Sequence, residues 1–224
     1  MKRLTLVLLV LPASAESLRY AINWPSGLSL GEATFVSGRT GAAPDKGPQQ
    51  WSFEFNLDAS VPGFTVHDEY HSKATSELCT LELDKDYTHG KRKGQERLTF
   101  DQPKNTVTRE TLNGGGKSEL SVGACAREAL TFLQFARREL AQGRLAPQQT
   151  VVFGGLYQVR FEYTGTQSIS VDGKPLEADR MVATLKGPST DMTFEVFFAK
   201  DPARTPVFAR LPLPLGAFTV ELVR

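Results

Sequence analysis

The segment Asp191–Arg224 constrains the fold most. Phe194, Val196 and Phe198 alternate with Thr193, Glu195 and Phe197. Asp201-Pro202 breaks the run. Val207, Ala209 and Leu211 begin a second, Leu215-Gly216 breaks that, and Phe218, Val220 and Leu222 form a third. Two-residue periodicity between short Pro/Gly breaks predicts an antiparallel meander with one buried face. Phe197, Phe208 and Val223 fall in the opposite phase, where polar residues are expected. They could pack under the helix, line a cavity or form a partner surface.

Similar alternation recurs upstream. Leu18, Tyr20, Ile22 and Trp24 read as a first strand, and Leu30, Ala33 and Phe35 as a second. Gly38–Pro48 reads as a flexible loop. Trp51, Phe53, Phe55 and Leu57 alternate cleanly, and Phe64, Val66, Asp68 and Tyr70 share one face after Pro62-Gly63. Cys79, Leu81 and Leu83 pair with Leu98 and Phe100 across a protruding tip that carries Lys91-Arg92-Lys93. A strand near Val107 follows, then a loop at Asn113–Gly116. Tyr157, Val159, Phe161 and Tyr163 form another strand. Ile169 and Val171 lead into Asp172-Gly173, a strong hairpin signal. The return strand changes phase between Ala178 and Met181, which a bulge near Arg180 would explain.

One helix interrupts the strands. Ala126, Ala129, Leu130, Leu133, Ala136 and Leu140 share a face, widened by Phe132 and Phe135. Glu128 falls in its first turn, and Arg137 and Arg138 lie towards its end, as the helix dipole prefers. Gly143 and Pro147 end it. The expected fold is mainly β: a single curved antiparallel sheet or barrel-like domain of about ten strands, with one long helix packed against it.

The chain begins with a basic Lys2-Arg3, an apolar Leu4–Leu11 and a small-residue Pro12-Ala13-Ser14-Ala15. This is the pattern of a cleaved signal peptide over residues 1–15, with cleavage after Ala15 and one β-rich domain over residues 16–224. The apolar run is too short to span a bilayer. The protein is therefore expected to be periplasmic or secreted. Its formal charge of +1 comes from 26 basic and 25 acidic residues. Loss of Lys2 and Arg3 leaves the two nearly balanced, which gives no electrostatic basis for nucleic-acid binding.

Cys79 and Cys125 lack C-x-x-C spacing and neighbouring metal ligands. In an oxidising compartment they are expected to form a disulfide, with two free buried thiols as the alternative. The bond would pin the helix to the strand that contains Cys79. No metal or cofactor is expected. His67 and His71 lie about 13 Å apart on a strand that rises roughly 3.3 Å per residue, too far to share an ion directly. Gly116-Lys117-Ser118 lacks the earlier glycine of a phosphate loop, because position 111 is Thr. Gly27-Leu28-Ser29-Leu30-Gly31 matches G-x-S-x-G, but a strand rather than a helix follows Ser29.

The pattern Tyr157-x-Val-x-Phe-x-Tyr, Thr166–Val171, Asp179-Arg180, Phe194–Asp201, Thr205-Pro206-Val207 and Gly216-x-Phe-x-x-Glu-Leu resembles the bacterial domain-of-unknown-function family 3108. Leu18-Arg19-Tyr20, Gly31-Glu32-Ala33 and Asp68-x-Tyr70-x-Ser72 extend the resemblance over most of the chain. It implies an exported, mostly β envelope protein and brings no catalytic residues with it.

The first functional expectation is a non-enzymatic envelope protein that binds a lipid, glycolipid or other amphipathic ligand between concave sheet and helix. Its candidate residues are Trp51, Phe53, Phe55, Phe132, Phe135, Phe194, Val196 and Phe198. Barrel mouths commonly host such sites. Two other readings stay open. One is a structural or assembly protein that acts through its surface, with an envelope partner. The other is a serine hydrolase using Ser29.

Overall fold

Each strand that alternates in sequence buries one face and hands its edge to the next, so the chain builds a sheet by adding neighbours in order. The structure, a computed structural model, describes residues 15–40, 48–61, 63–213 and 216–223. Residues 1–14 of the expected leader, most of the loop after Gly38, Pro62 and Leu215 lie outside the described residues.

Before the helix run β1 (Glu16–Asn23), β2 (Ser29–Thr40), β3 (Gln50–Val61), β4 (Phe64–Thr75), β5 (Thr80–His89), β6 (Arg92–Asp101), β7 (Thr106–Thr111), β8 (Lys117–Ser121) and the two-residue β9 (Arg127–Glu128). The helix α1 spans Ala129–Ala141. After it come β10 (Gln149–Val152), β11 (Leu156–Val171), β12 (Lys174–Lys186), β13 (Asp191–Ala199), β14 (Pro206–Leu213) and β15 (Gly216–Val223). They form one sheet in the order β8-β7-β6-β5-β4-β3-β2-β1-β15-β14-β13-β12-β11-β10-β9. Pairing is antiparallel except between β9 and β10. The first strand pairs with the last, Tyr20 opposite Leu222, so two consecutive meanders are stitched together at the middle.

The expected single curved sheet with one helix is present. Two points are corrected. Among the described residues there are 15 strands rather than about ten, and the sheet they form is not closed. β8, β9 and β10 lack the apolar alternation that marks the others: β8 is largely exposed and β9 has only two residues. Across the gap the chain is tied by a disulfide and by hydrogen bonds. Cys79 and Cys125 form a disulfide with Cα atoms 4.6 Å apart, at the short end of the usual range. Beside it the Thr80 amide donates to the Ala126 carbonyl at 3.0 Å. The Gln102 side chain donates to that same carbonyl at 3.1 Å and accepts from the Ala126 amide at 3.0 Å.

The helix begins later than its apolar spacing suggests, and Glu128 is its N-cap rather than a first-turn residue. Arg127 and Glu128 are drawn into a short strand beside β10. At the other end Gly143 adopts φ +73°, and its amide donates to the Leu140 carbonyl at 3.0 Å while the Arg144 amide reaches the Glu139 carbonyl. This left-handed glycine termination satisfies the last carbonyls. Buried Arg137 fixes the helix to the start of the described chain. Its two terminal nitrogens reach the Glu16 carboxylate at 2.7 Å each, and its Nε donates to the Ala203 carbonyl at 3.0 Å.

The hairpin β11–β12 turns at Asp172-Gly173, both with positive φ, as a tight primed turn requires. Its bulge lies on β11, where Thr164 is the extra residue facing Met181 and Arg180. Beyond the bulge the tip lies over the outer face of the C-terminal meander, and the Asp172 amide donates to Glu221 Oε1 at 2.8 Å. Val171 is fully buried there with Phe197 and Val207, and Phe208, Ile169 and Leu176 pack beside them. This second layer covers Phe197 and half-buries Phe208. Val223 stays exposed.

Candidate functional site

The helix fills one end of the curved sheet. Phe132 stacks on Phe161 with ring centres 5.7 Å apart, and Phe161 meets Phe198 edge-on at 6.4 Å. Phe35, Phe53 and Trp51 form a second stack. Arg39 lies over Trp51, and Arg127 lies 3.9 Å from the centre of the Phe135 ring. Burial of Arg127, with Arg138 close by, lowers its guanidinium to about 10.

Next to this packed end the concave face is open. A cavity of about 520 Å³ lies between the two halves of the sheet. One wall is Phe35, Phe55 and Leu57 from β2 and β3 with Leu83, Leu98 and Val107 from β5 to β7. The facing wall is Tyr20 and Ile22 from β1, Val220 from β15, Ala209 and Leu211 from β14, and Phe194 and Val196 from β13. Ala129, Leu130 and Leu133 of α1 complete it, and the β10–β11 turn, Phe153 to Gly155, borders it with Leu120 of β8. Phe153 is half exposed.

Of the residues expected at a ligand site, Phe55, Phe194 and Val196 line this cavity. Phe53, Phe132, Phe135 and Phe198 are buried in the neighbouring core, and Trp51 is packed against it beside Arg39. The aromatic row is thus divided: part fills the helix end and part faces the space.

The cavity also carries polar groups that alternation alone did not single out. Lys85 stands opposite Tyr70 on one side and Glu96 on the other, and Arg109 stands one row along, opposite Leu98. The Glu96 carboxylate is buried. It accepts from Arg109 Nη2 and, at 3.5 Å, from Lys85 Nζ. Lys85 Nζ lies 5.2 Å from the centre of the Tyr70 ring and 5.6 Å from that of Tyr87. Burial would raise the Glu96 carboxyl, but the Arg109 and Lys85 contacts outweigh it and hold Glu96 below the usual carboxylate range. Burial, and then the Asp68 charge, push the Tyr70 phenol up. Arg109 Nε is buried without a hydrogen-bond partner among the described residues. The sequence signal was the phase: Lys85 shares it with Leu83, and Glu96 with Leu98.

Glu128 also borders the cavity and is almost fully buried. Its carboxylate accepts from the Leu130 and Thr131 amides at 2.7 Å each, from Thr131 Oγ1 at 2.5 Å and from Ser72 Oγ at 2.9 Å. Burial pushes its carboxyl up, and these donors pull it back. The group caps the helix and is already satisfied.

Ser29 is exposed at the start of β2 and lines an open groove with Asp58 and His67. His67 Nδ1 lies 2.6 Å from Asp58 Oδ1. This pairing raises the His67 imidazole, but no hydrogen bond joins Ser29 to His67 among the described residues. His71 meets Glu69, and His89 meets Asp68.

The sequence matches the model of a family described as protein of unknown function (DUF3108) over residues 19–223. The chain belongs to that family. No curated protein matches the sequence significantly. Among solved structures, the chain is similar to a β-barrel-like protein of domain of unknown function DUF1849 from Brucella abortus. The identity is 8%, the alignment covers 95% of this chain and 96% of that one, and the TM-score is 0.61. That likeness is one of fold. The Mycobacterium tuberculosis lipoprotein LppX aligns at 15% identity over 92% of this chain and 84% of that one with a TM-score of 0.29, too low to indicate a shared fold. No described helix is long and apolar enough to cross a membrane.

Proposed function

We propose that this DUF3108 protein is an exported, non-enzymatic binding protein of the cell envelope that holds an apolar or amphipathic small molecule, such as a lipid, inside the curved sheet. The observation that carries this reading is the cavity of about 520 Å³, walled by hydrocarbon from both meanders and from α1. Its size falls in the range of small-molecule sites, roughly 300–1,000 Å³, and its lining is the usual one of many apolar groups and few polar ones. An apolar lining left open in this way stays in contact with water, a cost that an apolar occupant would remove. The Cys79–Cys125 disulfide supports an oxidising compartment.

The test is native mass spectrometry of protein purified gently from the envelope fraction of its own cells. A stoichiometric added mass that leaves on organic extraction is the expected result, and fragmentation would give its class. A clean apo mass, with no uptake from an envelope lipid extract, would refute the proposal.

A further inference from the structure

The cavity wall holds more hydrogen-bond donors than the protein itself uses. Lys85 offers three N–H groups and Arg109 five. Among the described residues Lys85 makes a single long bond to Glu96, and Arg109 makes one bond to the same carboxylate. Arg109 Nε is buried and unpaired, although buried polar groups are seldom left so. Two cations therefore share one buried carboxylate at the edge of an apolar space. Asp68, the next acidic group on that wall, is engaged with His89 at 2.8 Å, and Glu128 is satisfied by its four donors.

We propose that Lys85, Glu96 and Arg109 form the headgroup subsite of the cavity and that it takes an anion, carboxylate or phosphate, carried on a single hydrocarbon chain. The inference rests on the reading of the cavity as an amphiphile site and adds the charge and chain number of the occupant. Within this trio Glu96 fixes the two cations on the wall while leaving one positive charge in surplus and several donors free; the other two carboxyl groups of the lining, Asp68 and Glu128, are turned to His89 and to the helix cap. An oxyanion would pair with those donors through charge-assisted hydrogen bonds, the stronger kind. A cationic head would meet Lys85 and Arg109 directly. The volume of about 520 Å³ is of the order of one long acyl chain.

Calorimetric titration of the ligand-stripped protein tests this with four probes of equal chain length: palmitate, hexadecyl phosphate, 1-monopalmitoylglycerol and hexadecyltrimethylammonium. One or both anions should bind about tenfold or more tightly than the neutral glyceride, and the cation should bind least. Which anion is preferred separates a carboxylate from a phosphate source. In Lys85→Met, which leaves Arg109 paired with Glu96, and in the triple Lys85→Met/Glu96→Gln/Arg109→Met, which leaves none of the three charges, the anion preference should fall to near unity while glyceride affinity persists. Equal affinity for anions and glyceride in the unaltered protein overturns the subsite and leaves the cavity reading standing. So does an anion preference that survives in folded variants. Failure of all four probes to bind overturns both. If the variants do not fold, the four-probe ranking in the unaltered protein decides.

Discussion

Replacement of both cysteines, Cys79→Ala with Cys125→Ala, isolates what the cross-link contributes. The bond joins positions separated by 46 residues. For a loop of that length the chain-entropy relation gives about 4 kcal/mol of stabilisation, exerted on the unfolded chain. The native junction should survive, because the Thr80–Ala126 backbone bond and the Gln102 bridge span the same gap without the sulfurs. The loss should therefore appear as reduced stability rather than altered fold. For a chain of this size about 4 kcal/mol corresponds to a fall in Tm of roughly 8–16 °C. Urea unfolding at 25 °C, read by far-ultraviolet circular dichroism, measures it, and the m value should rise as the freed unfolded chain exposes more surface. The reasoning fails if the double variant loses less than about 1 kcal/mol, or if the native protein presents two freely alkylated thiols. Helix α1, whose Ala129, Leu130 and Leu133 face the cavity, stays anchored by the surviving junction, so palmitate binding should persist on reduction under conditions where the protein remains folded.

Glu16→Ala leaves the buried Arg137 guanidinium without its carboxylate, and breaking a buried pair in this way is expected to cost about 3 kcal/mol; a loss under about 1 kcal/mol in the free energy of urea unfolding would show that the Ala203 carbonyl and Gln134 suffice. Glu96, faced by Lys85, Arg109 and Tyr70, has its carboxyl lowered in the folded state. Its contribution is thus fully present above the ordinary glutamate value near about 4.3 and is lost as pH falls through the lower folded value. Tm measured from pH 6 downwards should drop more steeply for the unaltered protein than for Glu96→Gln, and parallel curves would contradict the assignment.

The legible part of the fold was the part in which one face is buried and the other wet. β3 announces itself through Trp51, Phe53, Phe55 and Leu57, and the hairpin at Asp172-Gly173 through its turn residues. β8 was not legible because only Leu120 in it is even half-buried, so the pull that produces alternation is absent there. β10 is four residues long, with only Val151 and Val152 fully buried. Glu128 was read as a charge at the helix dipole. Its burial depends on Ser72 of β4 arriving as a donor, a contact 56 residues distant that no local pattern encodes. The aromatic residues were correctly singled out as inward-facing, but alternation gives only the face. Whether an inward residue meets the helix, as Phe53 does, or open space, as Phe55 does, depends on how far along the strand α1 reaches.

That reach also explains why a cavity exists. Eight strands close around an interior that side chains alone can fill, and wider sheets enclose more space than their side chains occupy. A sheet of 15 strands must fill the difference or leave it open. This protein fills the helix end with Phe132, Phe135 and Ala136 and uses the β11–β12 tip to cover the outer face instead of the inner one. Neither filler extends to the rows of Leu57, Tyr70 and Val220, and the charged trio of Lys85, Glu96 and Arg109 stands beside them. In a core meant only to be packed, apolar residues at those three inward positions would avoid the desolvation of two cations and a carboxylate. Charged side chains kept there, with donors to spare, are better accounted for by an occupant than by stability.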